Sequence, residues 1–72
     1  MNAPTNASRA RVAREAIAHH SSFVGNQTED LETQLSDFMA NLMHLCAAEK
    51  IDISECMTRG CGHYIEEVRD GV

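Results

Sequence analysis

The chain has 72 residues, 43% of them hydrophobic, and a net charge of −5. At that length a single core supplies only about 3–5 kcal/mol, which excludes a second domain and calls for a staple, a metal or a partner subunit. The charge is split: residues 1–14 carry Arg9, Arg11 and Arg14 with no acid, for +3, whereas residues 15–72 hold three basic residues against all 11 acids, for −8. An acidic body repels nucleic-acid phosphates, so only the N-terminal segment is suited to approach them. No apolar run reaches the roughly 20 residues that cross a bilayer. Three cysteines, an odd number, with no signal peptide argue against a secreted disulfide scaffold. A cytoplasmic chain with reduced thiols and no membrane association is expected.

Residues 1–6 are polar and hold the single proline, Pro4, and read as a flexible tail. Residues 7–20 are rich in Ala and Arg, strong helix formers, and predict a first helix. Its apolar stripe, Ala10, Ala13 and Ile17, is thin, so this helix buries little. Residues 21–28 contain Ser21, Ser22, Gly25 and Asn26 and read as a loop, with Phe23 and Val24 tucked beneath the bundle.

A second helix is predicted over about 28–48. Asn26 or Thr28 is the expected cap, Asn26 with Glu29 has the form of a capping box, and Glu29, Asp30 and Glu32 suit the positive end of the helix dipole. Leu31, Leu35, Phe38, Leu42 and Leu45 recur at spacings of 4, 3, 4, 3, the pattern of a core-facing bundle helix. A third helix is predicted over about 53–69, with Asp52 and Glu55 as a capping box and Ile53, Met57, Tyr64 and Val68 on one face. Gly60 and Gly62 lie within it, either to permit close helix approach or to mark a kink. The short connection at Lys50–Asp52 folds the second and third helices into an antiparallel hairpin. The fold class is therefore all-α: three helices in one domain, 7–72, the hairpin pairing with another copy in a four-helix-bundle-like dimer.

Across the second helix from its apolar stripe, Asp30, Gln34, Asp37, Asn41 and His44 recur at 4, 3, 4, 3 and form a polar stripe. Asp37 and His44 stand about 10 Å apart along the axis, too far to share one ion. The stripe reads as a partner-binding or simply solvated face. Arg9, Arg11 and Arg14 form the one basic feature, expected to contact a partner's acidic patch. Cys56 and Cys61 diverge by about 140° on a helix, and Cys61 and His63 by about 200°, so with Cys46 and His44 they make a poor zinc site. His19 and His20, adjacent on a helix, do not chelate together and suit a helix C-terminus. No catalytic constellation, cofactor or metal site is expected.

Two resemblances bear on residues 31–67. Asp37-Phe38-Met39-Ala40-Asn41-Leu42-Met43-His44, then Lys50-Ile51-Asp52-Ile53, then His63-Tyr64, resemble small uncharacterised bacterial proteins often linked to mobile elements. Their pattern runs Asp-Leu-Leu-x-Asp-Leu-Met-His, a Gly-Ile-Asp-Phe turn, and a helix ending in His-Tyr. The likeness covers about half the chain and implies no known activity. The helix, Ile-Asp turn and following helix also resemble the MazG-like all-α nucleoside triphosphate pyrophosphohydrolases. That family holds magnesium with Glu-x-x-Glu and Glu-x-x-Asp motifs. Here only Asp37 matches; three residues before it stands Gln34, and the first helix offers Glu15 alone.

The leading expectation is a non-enzymatic protein–protein interaction module, dimeric, with the mobile-element resemblance implying an inhibitor or regulator of a host protein. The alternatives are a degenerate MazG-like pyrophosphohydrolase using Asp37 and Glu15, and a regulator touching DNA through the N-terminal Arg cluster.

Overall fold

The computed structural model describes residues 3–71, which form three α-helices: α1, Asn6–Val24; α2, Leu31–Glu49; and α3, Ile53–Asp70. Among the described residues there is no strand, and no helix is long and apolar enough to cross a membrane.

Each helix starts on a side-chain cap. Thr5 closes a full capping box on α1, its Oγ1 accepting from the Ser8 amide at 3.0 Å while the Ser8 hydroxyl oxygen accepts from the Thr5 amide at 2.9 Å. The flexible tail expected over residues 1–6 thus gives way to ordered chain at Thr5 and Asn6; its first two residues lie outside the described part. α2 starts on Asp30, whose Oδ1 accepts from the Thr33 amide at 2.8 Å. α3 starts on Asp52, as its sequence predicts, accepting from the Glu55 amide at 3.3 Å.

The first connection differs from the sequence expectation. α1 does not stop at His20 but continues through Ser21, Ser22, Phe23 and Val24. It ends on Gly25, whose φ of 85° is the left-handed conformation that glycine adopts without strain. The amides of Gly25 and Asn26 both bond back to the Ser21 carbonyl, at 2.9 and 3.3 Å. Continuing the helix carries Phe23 to its outer side, 89% exposed, rather than beneath the bundle. Ser21, one turn after Ile17 on the same face, goes inward instead and is buried. Asn26, expected to cap α2, is spent on the end of α1, so α2 begins later than residue 28.

The second connection is three residues, Lys50–Asp52. Lys50 takes the left-handed conformation at φ 57°, and the Ile51 amide reaches back to the Cys46 carbonyl at 2.8 Å. α3 then runs unbroken through Gly60 and Gly62. A Cβ built on either glycine meets nothing within 4 Å, so neither serves a close approach within this chain.

α1 and α2 make the most extensive of the helix pairings. α3 is held at its ends: at its start by the short turn, and near its end by Asn6 and Arg9 of α1. Ile17 is the only buried hydrophobic residue among those described. The accessible surface is 5967 Å², against about 4,500 Å² for a compact monomer of this mass. The radius of gyration, 14.0 Å, likewise exceeds the roughly 11 Å of a close-packed chain of this length.

Candidate interaction surface

Two faces of α2 carry different chemistry. Its polar stripe turns toward α1 and the 25–30 connection, and four of its five members are bonded within the chain. Gln34 is the hub. Its Oε1 accepts from the buried Ser21 hydroxyl at 3.0 Å, and its Nε2 donates to the carbonyls of Gln27 and Glu29 at 3.2 and 2.8 Å. One amide side chain thereby pins the end of α1, the connection and the start of α2 together. Asp37 accepts from Asn26 Nδ2 at 2.7 Å. Asn41 lies 2.7 Å from His20 Nε2, whose ring packs against Phe38 with centroids 5.0 Å apart. With Asn41 Nδ2 donating, the imidazole proton sits on Nδ1. That Nδ1 is buried without a partner, as is Asn26 Oδ1. Asp30 caps its own helix, and its bonds from the Thr33 hydroxyl and then the Thr33 amide hold its carboxyl below the usual aspartate range. His44, the fifth member, is exposed and makes no hydrogen bond among the described residues.

The basic cluster divides. Arg9 bonds Asn6 Oδ1 at 2.9 Å and pairs with Glu67 at 3.2 Å, joining the start of α1 to the last turns of α3; Asn6 Nδ2 adds a bond to the Glu67 carbonyl at 3.2 Å. Arg11 pairs with Glu15 one turn on, at 3.6 Å. Arg14 makes no ion pair among the described residues and points beside Ala10, Ile17 and Leu31 along a shallow groove on α1. The pair Asp37 and Glu15 is not brought together: one carboxylate is bonded to Asn26, the other to Arg11. Among the described residues no three His, Cys, Asp or Glu side chains converge as a metal-binding group, and all three cysteines are free thiols.

The apolar faces are the larger feature. Leu31, Leu35, Met39, Leu42, Met43 and Leu45 of α2 are each more than a third exposed, and Met57, Tyr64, Ile65 and Val68 of α3 more than half or close to it. Soluble monomers rarely leave contiguous apolar patches beyond a few hundred Å². Tyr64 and Val68 line a crevice with Asn6, Arg9 and Ala10, so the α3 stripe faces the gap between α3 and the α1–α2 pair. No protein-family model, curated protein or solved structure matches this chain.

The sequence exposes both stripes but not which one finds partners within the chain. Ser21, His20 and Asn26, the groups that bond to the polar stripe, read in the sequence as a helix end and a loop. The signal that places them is Ser21 lying one turn beyond Ile17 on the same face.

Proposed function

We propose that this protein is a non-enzymatic protein–protein interaction module that self-associates through the apolar faces of α2 and α3. The observation that carries the reading is the surface: about 1,500 Å² more than a compact chain of this mass exposes, with Leu, Met, Ile and Val at bundle-core spacing among the exposed side chains. Burying such area is the dominant favourable term in association, and a standard interface takes about 800 Å² from each partner. A pair of α2–α3 units supplies the four helices of a bundle. The acidic body and the exposed His44 beyond the α1–α2 corner leave a polar outer face for a further partner, and the mobile-element resemblance favours a host protein in that place.

Light scattering across a dilution series tests the self-association. Twice the 8.0 kDa chain mass, persisting to micromolar concentration, is the expected result. The mass of a single chain at every concentration would overturn it.

A further inference from the structure

Resting on that reading, the geometry points to what must move before two copies can meet. We propose that Asn6, Arg9 and Glu67 form a clasp that holds α3 shut against the start of α1, and that self-association requires this clasp to open.

α3 is tied down at two points. Every residue from Ile53 to Asp70 is exposed except Ile53 itself, beside the turn, and Glu67. At Glu67 three polar contacts converge. Arg9 Nε pairs with Glu67 Oε2 at 3.2 Å, Asn6 Nδ2 donates to the Glu67 carbonyl at 3.2 Å, and Arg9 donates to Asn6 Oδ1 at 2.9 Å. Among the described residues no other side-chain hydrogen bond or ion pair joins α3 to α1 or α2.

The other tie has the form of a hinge. Lys50–Asp52 is three residues, and Lys50 holds a left-handed φ of 57°. A few loop residues suffice to absorb the backbone rotation of a swinging element. α3 itself runs unbroken from Ile53 to Asp70, so it moves as one rod of about 27 Å at 1.5 Å per residue. Opening the clasp frees one end of that rod while the hinge keeps the other.

The clasp stands where it obstructs association. Tyr64 and Val68 line the crevice with Ala10, and the three clasp residues surround it. The apolar stripe of α3 is thus turned into a gap whose ends are closed by the turn and by the clasp. A second copy reaches the stripe only after the free end swings out. The clasp is also weak enough to open. The side chains of Arg9 and Glu67 are 33% and 36% exposed, and ion pairs in contact with water contribute little.

The open fraction of each chain then sets the apparent affinity. Both chains of a pair must open, so while that fraction is small the dissociation constant varies as its inverse square. Loss of the ion pair is expected to raise the open fraction about threefold, and so to tighten the dimer about tenfold. Sedimentation equilibrium on Arg9→Gln and Glu67→Gln reads this, with circular dichroism to confirm unchanged helicity, since glutamine is a good helix former. Each substitution is expected to lower the dissociation constant about tenfold. The two change net charge in opposite directions, so an effect of overall charge would move them apart. The double variant Arg9→Glu with Glu67→Arg keeps the parent's net charge and re-forms the pair in reverse. Its dissociation constant is expected to lie within about threefold of the parent's. A parent that dimerises while either single substitution leaves the constant unchanged or raised, or while the double variant stays tight, overturns the clasp and leaves self-association standing. Parent and variants that are all monomeric at every concentration overturn both.

Discussion

Gln34 shows how much one side chain can organise in a molecule with almost no core. It accepts from buried Ser21 and donates to two carbonyls of the 25–30 connection. A MazG-like magnesium motif would place glutamate at this position. A carboxylate accepts but cannot donate, and would face the Gln27 and Glu29 carbonyls with no proton to offer. Gln34→Ala is expected to destabilise the α1–α2 corner by about 1–2 kcal/mol, seen as faster amide exchange at Gly25, Asn26 and Glu29. Asp30 acts differently, through charge. Its folded-state carboxyl titrates below the unfolded one, so its contribution is complete above the ordinary aspartate range and disappears as pH falls through the depressed value. Asp30→Asn keeps a good cap with no charge to lose. The variant is expected to show less acid loss of helicity below about pH 4 than the parent chain, measured by circular dichroism.

At the scale of elements, the three helices were legible because their determinants are local. Ala and Arg content, the 4, 3, 4, 3 stripe of α2 and the Asp52 cap of α3 act within a few residues of where they occur. The end of α1 was not legible. Ser21 and Ser22 are as compatible with a turn as with a helix, and the choice falls to Gln34, thirteen residues downstream, which receives the Ser21 hydroxyl. The glycines of α3 separate the same two kinds of information. Gly62 lies on the outer side of an unbroken helix with open space beside it. Gly62→Ala should therefore act through backbone entropy alone and stabilise the protein by about 0.5–1 kcal/mol, read as a raised urea midpoint at unchanged solution mass.

For the whole molecule, the question is where the driving force for folding comes from. Ile17 alone is buried among the apolar side chains described, and the surface ion pairs Arg11–Glu15 and Arg59–Glu55 contribute little at their exposure. On the proposed self-association, association adds to this stability and mass action makes it depend on concentration. The unfolding midpoint is expected to rise with protein concentration over a hundredfold range. A midpoint independent of concentration would place the stabilising interactions inside the single chain.

The amino-acid sequence by itself determined the helical class, the number of helices, the Asp52 cap and short turn between α2 and α3, and the existence of a polar and an apolar stripe on α2. Periodicity and capping are properties of neighbouring residues, so they can be read without the fold. Only the tertiary structure decided which stripe is satisfied at home. The polar residues Asp37, Asn41 and Gln34 find Asn26, His20 and Ser21 because α1 runs one turn further than its composition indicates. The apolar residues of α2 and α3 find almost nothing. Hydrogen bonds are directional and short, and a single added turn brings their partners into reach. Apolar burial needs area, and three helices touching mainly near their ends do not supply it.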